Sequence, residues 1–210
     1  MTTCPRFVDL EASGFSRGSY PISIAWNDDQ GTIERLLIDP SGVASWGDED
    51  WSVDAESVHG LDRERLRKNG WPPDYVVDRL IASVPSSELY SDAPEFDERW
   101  LDRLFAAVGV PRPFTVHHVD DLLLPLLVRP GELQWQGVAR LEALKERIRA
   151  LVPGHHDAGY DVGYLLQVWR AAHGQPVKMG HGIGPMPEIS ATGSFVRLKM
   201  GGAQRSNKQR

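Results

Sequence analysis

The chain has 210 residues, 41% of them apolar and 25% charged, which supplies a buried core and excludes global disorder. A formal net charge of −6 excludes a protein that coats nucleic acid through bulk positive charge. The one cysteine, Cys4, excludes an internal disulfide framework; no signal-peptide core opens the chain and no apolar run is long enough to cross a bilayer, so the expectation is a cytoplasmic protein.

In chain order, residues 6–10, about 20–27 and about 32–39 read as three strands, with "NDDQG" as the hairpin turn between the last two. The segment "DPSGVASWGDEDWS" reads as a loop. Asp62 is placed to start a short helix and Gly70 to stop it. "DYVVDRLIASV" has helical periodicity, with Tyr75, Val76, Leu80 and Ile81 as its expected apolar face. "ELYS" is a short strand. "APEFDERWLDRLFAAVG" is a helix with Pro94 in its first turn and Gly109 at its end. "FTVHHV" suits another strand. "VDDLLLPLLV" suits a helix broken near Pro125. "GVARLEALKERIRALVPG" is an amphipathic helix ended by Pro153-Gly154, and "YDVGYLLQVWRAAHG" is the last helix. The expected fold is one α/β domain over residues 1–175, a mixed sheet flanked by helices. Residues 176–210 are expected to be an extension with a mobile basic tail, Arg197 to Arg210.

Four carboxylates break the apolar pattern. Asp9 and Glu11 in "FVDLEASGF" are two apart on a strand, so they share a face and repel. Asp97 continues the apolar stripe of Trp100, Leu101, Leu104, Phe105 and Val108 back to the helix start. Asp161 does the same for Tyr164, Leu165, Val168 and Ala172. Burying several ionised acids together costs several kcal/mol apiece unless cations accompany them. Hard divalent cations take oxygen ligands, and two of them about 4 Å apart form the clamp used for in-line attack on phosphodiesters. The competing reading of Asp97 or Asp161 alone is a first-turn acid favoured by the helix dipole.

"FVDLEASG", "SVHGLDRERL", "SDAPEFDERWL" and "HDAGYDVGYLL" together resemble, in order and over residues 7–169, the motifs of the DEDDh 3′–5′ exonuclease superfamily, which includes the proofreading subunit of bacterial DNA polymerase III, RNase T and oligoribonuclease. The resemblance implies a ribonuclease-H-like fold and a metal-dependent 3′–5′ exonuclease that releases 5′-mononucleotides. It implies two divalent cations, Mg²⁺ or Mn²⁺, on Asp9, Glu11, Asp97 and Asp161. It implies His156 as general base, on the loop before the last helix; the adjacent His155 lacks the spacing to Asp161. It implies substrate contacts from Ala12, Ser13, Gly14, Phe15, His59 and Phe96. Gly14 would allow close approach of the terminal nucleotide. Phe15 and Trp46 are candidates to stack on its bases, or else ordinary loop anchors. The expected partners are single-stranded or frayed 3′ ends of DNA or RNA, with no membrane and with oligomeric state left open. Asp92 stands where many members carry Asn, and Ser13 where Thr is common, which leaves substrate class open. The alternatives are a non-catalytic nucleic-acid-binding or regulatory module of the same fold, and a structural cation site in an unrelated α/β protein. The tail carries no convincing clamp-binding peptide.

Overall fold

The structure, a computed structural model, describes residues 4–85, 87–151 and 156–177. The expected extension from 178 onward and the Pro153-Gly154 stop lie outside the described residues. Strands β1 (Val8–Ala12), β2 (Pro21–Asn27) and β3 (Ile33–Leu37) form an antiparallel meander. Its β2–β3 turn is closed by Asp28, whose Oδ1 accepts the Gln30 and Thr32 amides at 2.9 and 2.7 Å. Strands β4 (Glu88–Ser91) and β5 (Thr115–His118) pair in parallel. The Tyr90 amide donates to the Arg6 carbonyl at 2.8 Å, and a parallel bridge joins Phe7 to Tyr90. These contacts join the two groups in the order β3-β2-β1-β4-β5, the mixed sheet expected.

The helices are α1 (Val53–His59), α2 (Arg63–Asn69), α3 (Pro73–Ser83), α4 (Pro94–Val108), α5 (Val119–Leu127), α6 (Gln134–Leu151) and α7 (Ala158–Ala172). They cover the sheet on both faces. Val8, Leu10 and Ala12 of β1 pack with Val76 and Leu80 of α3 and Leu101, Leu104 and Phe105 of α4. On the opposite face, Phe7 and Ala25 pack with Leu123 of α5, Ile148 of α6 and Val162 and Leu165 of α7. β2 is buried along its whole length because both its faces are covered. The result is a three-layer ribonuclease-H-like α/β domain. None of the described helices is long and apolar enough to cross a membrane.

Several elements differ from expectation. α1 follows the expected loop and was not expected as an element. Its start is capped by the Ser52 side chain, which accepts the Ala55 amide at 3.3 Å, and its end by Gly60 at φ 67°. Only Ala55 of this helix is buried, so it has almost no apolar period to read. The buried face of α3 is Val76, Val77 and Leu80; Ile81 is exposed, and Tyr75 instead stacks on Trp71 with ring centroids 4.1 Å apart. α5 runs through Pro125 and ends two residues later. Proline in this last turn deprives only the carbonyl of Asp121, an exposed residue, of its partner. α7 is buried on almost every side from Ala158 to Trp169, because it is wedged between the sheet and helices α5 and α6.

Candidate metal centre

The site is built at the carboxyl end of β1. Alternation along the strand buries Val8, Leu10 and Ala12 on one face and turns Asp9 and Glu11 to the other. That second face is covered by α7. Asp157 caps α7, accepting the Gly159 amide at 3.0 Å, and Asp161 lies in the first turn. Asp161 accepts hydrogen bonds from the backbone amides of His156 and Asp157. One carboxylate oxygen each from Asp9, Glu11 and Asp161 lie within 4.8 Å of one another. Strand and helix thus bring three of the four expected acids into one group.

The electrostatics follow from that geometry. Burial pushes the Asp9 carboxyl well above the usual range, and the charges of Asp97, Asp161, Glu11 and Asp92 push it further. Glu11 rises to about 8, first through burial and then through Asp161, Asp157 and Asp97. Asp161 rises to about 6, through burial and then Asp92 and Asp157, with its two amide donors pulling the other way. A set of hard oxygen donors that repel one another fits a divalent cation.

Acids raised in the fold bind more protons there than in the unfolded chain, so their contribution to stability falls as pH rises. For Glu11 the loss runs from its ordinary 4.5 up to about 8. The metal-free protein is therefore expected to melt at lower temperature at pH 8 than at pH 6. Mn²⁺ is expected to raise the melting temperature more at pH 8, where the acids are ionised. A thermal melt across pH with and without Mn²⁺ checks this; a Mn²⁺ shift that shrinks as pH rises contradicts it.

Asp97 is placed differently. It is 2% exposed, its Oδ1 accepts the Leu10 amide at 3.1 Å, and its Oδ2 accepts from the Ser91 hydroxyl. The Ser91 hydroxyl in turn accepts the Ala93 amide at 2.9 Å. β1 and β4 part beyond Phe7 and Tyr90, and the Asp97 side chain fills the fork. Burial lifts its carboxyl to about 8 even though the Ser91 and Leu10 hydrogen bonds favour the charged form. Each carboxylate oxygen has a second lone pair, so this splice leaves room for a ligand role.

His156 lies on the loop ahead of α7, exposed, with a positive φ of 59°. His155 lies outside the described residues. His59 ends α1; its Nδ1 accepts the Leu61 amide at 3.0 Å, which puts the ring proton on Nε2. That Nε2 is buried, and the acceptor it faces is the Ala12 carbonyl. Burial lowers the imidazole's pKa, and the nearby His156 lowers it further; Glu56 and the Ala12 carbonyl act in the opposite sense.

The turn after β1 is shaped by a register shift between Glu11 and Ala12, a bulge that re-aims the chain. Ser13 is buried and fully engaged. Its hydroxyl donates to the Asp50 carbonyl at 2.8 Å and accepts the Tyr20 amide at 3.1 Å, while its own carbonyl accepts the Ser52 amide at 2.7 Å. A Cβ on Gly14 would stand 3.1 Å from that of Ser52, so the glycine serves close approach of the 50–52 loop. Gly14, Phe15, Trp51, Ala55 and Val58 line an open cleft of about 370 Å³. Phe15 is 69% exposed and meets Phe96 edge-on, ring centroids 5.7 Å apart, with Trp100 behind them. The Arg99 guanidinium covers Phe96 and Trp100. Trp46 is not available for stacking: it is buried face to face on Tyr20 at 5.0 Å. Sequence reading missed Ser91, Trp51, Asp157 and Arg35, whose side chain pairs with Asp157. Of these only Asp157 carried a signal, as an Asp immediately before a helix.

Comparison of the sequence with family models and with curated proteins gives no match. Solved structures do resemble the fold. A moderately thermophilic exonuclease I from Methylocaldum szegediense aligns at 18% identity and a TM-score of 0.55, covering 83% of this chain and 41% of that one. The zinc-bound E. coli ExoI–ssDNA complex aligns at 17% identity and 0.53, covering 79% and 39%. A product-bound exonuclease I aligns at 18% and 0.55, covering 83% and 44%. The chain thus spans less than half the length of these exonuclease I chains, and at such identity the likeness establishes the fold.

Proposed function

We propose that the protein is a metal-dependent 3′–5′ exonuclease that hydrolyses single-stranded nucleic-acid ends to 5′-mononucleotides. The observation that carries this is the convergence of Asp9, Glu11 and Asp161 oxygens at the end of β1; the turn that continues from that strand, Gly14 and exposed Phe15, lines an open cleft. The likeness of the fold to exonuclease I, one structure of which holds single-stranded DNA and zinc, supports it.

On this reading Asp9, Glu11, Asp161 and Asp97 hold two cations, Mg²⁺ or Mn²⁺. Bound there, the cations supply the positive charge that in-line displacement at phosphorus requires. His156 takes the proton of the attacking water; its loop position lets the ring swing over the cluster while its own amide steadies Asp161. Phe15 and Phe96 stack on the last bases, and the neutral His59, held beside the Ala12 carbonyl, steadies the turn that the terminal nucleotide approaches. Ala12 and Gly14 form the floor of the approach. Ser13, fully engaged within the protein, holds that floor in place.

A terminal nucleotide must be splayed into this cleft, and a duplex end must first unpair at a cost of a few kcal/mol. Initial rates on a single strand, a blunt duplex and a 3′-overhang duplex, in DNA and RNA versions at equal end concentration, test the reading. Single strand and overhang are expected to be degraded well ahead of the blunt end. A blunt duplex degraded as fast as the single strand would overturn the substrate form proposed.

A further inference from the structure

We infer that Arg35, which lies on the far strand of the meander, is a positioning residue for the metal centre: by gripping Asp157 it fixes the first turn of α7, and with it Asp161 and the His156 loop. The inference rests on the reading given under Proposed function.

Arg35 on β3 lies opposite Ala25 on β2, which lies opposite Asp9 on β1. Residues directly opposite share a face, so Arg35 leaves the sheet on the side of α7 and the acids. Ala25 between them is buried and small, which lets the helix lie close to the sheet. The Arg35 guanidinium pairs with one oxygen of Asp157, and the other oxygen accepts the Gly159 amide at 3.0 Å. Arg35 is 17% exposed and Asp157 30%, well short of the open surface where ion pairs contribute little. The next link is the backbone: the amides of His156 and Asp157 donate to Asp161. The order is therefore Arg35, Asp157, the 156–157 backbone, then Asp161. Asp157 also adds negative charge beside Glu11 and Asp161, and Arg35 is its counter-ion.

The test compares Arg35→Met, Arg35→Lys, Asp157→Asn and the double variant Arg35→Met/Asp157→Asn. Asparagine still caps a helix, so Asp157→Asn removes the charge pair and spares the cap. Outer partners of metal ligands typically cost about 10–100-fold when removed, and kcat of Arg35→Met at saturating Mn²⁺ is expected to fall by that amount, with KM essentially unchanged. Asp157→Asn is expected to match it, Arg35→Lys to recover part of the loss, and the double variant to be no worse than the worse single one. Hydrogen exchange is expected to quicken at the first-turn amides of α7 in Arg35→Met and to stay unchanged in β2 and α4. A normal kcat with unchanged exchange, or losses that multiply in the double variant, would overturn the inference. Absence of nuclease activity in the unmodified protein would overturn the functional reading instead. The exchange measurement still decides whether Arg35 anchors α7.

Discussion

Asp9→Asn is expected to abolish nuclease activity while leaving the metal-free protein at least as stable as the unmodified chain. Asp9 is the acid most pressed by its neighbours: burial and the charges of Asp97, Asp161, Glu11 and Asp92 all oppose its ionisation. Replacing it with a neutral isostere relieves that repulsion and removes a cation ligand. The loss in kcat should go well beyond the roughly 10–100-fold typical of an outer partner. Asp161→Asn is expected to behave alike. Asp97→Ala is expected to lose activity and also stability, because it strands the Leu10 amide and the Ser91 hydroxyl inside the protein. An unsatisfied buried group costs about 1–3 kcal/mol. Turnover assays paired with thermal melts in EDTA separate the two behaviours. Near-normal turnover in Asp9→Asn would remove Asp9 from the reaction.

His156→Asn is expected to lower kcat by roughly 10²–10⁴-fold, the usual contribution of a general base, with Mn²⁺ affinity nearly intact. Asparagine is the informative substitute because it tolerates the left-handed backbone that His156 adopts at φ 59°. A β-branched residue there would confuse lost chemistry with strain. His155→Ala is the control and is expected to cost much less. Equal losses in the two variants would show that the proton goes elsewhere.

The sequence made the strand pair of acids legible because alternation is a two-residue rule, and Asp9 and Glu11 break it in plain view. Asp161 was legible for a similar reason, as the head of a helical stripe. The mixed sheet followed from the order of strands and helices. Other features were hidden by their distance along the chain. Asp97 looks like one more acid on a stripe, and nothing nearby announces partners at Leu10 and Ser91. Arg35 and Asp157 stand 122 residues apart and meet only because β3 and α7 share one face of the sheet. Trp46 read equally as a stacking residue or a loop anchor, and only the fold decides for the anchor, buried against Tyr20. α1 failed to register because its start and stop signals, Ser52 and Gly60, frame a helix with almost no buried side.

The central claim is that these acids hold divalent cations that drive hydrolysis from a 3′ end. A time course on a 5′-labelled single strand with Mn²⁺ tests it most directly. The account predicts a ladder that shortens one nucleotide at a time from the 3′ end, releases 5′-monophosphates and stops when EDTA is added in excess. Internal cuts, products bearing 3′-phosphates, or degradation that continues in EDTA would contradict it.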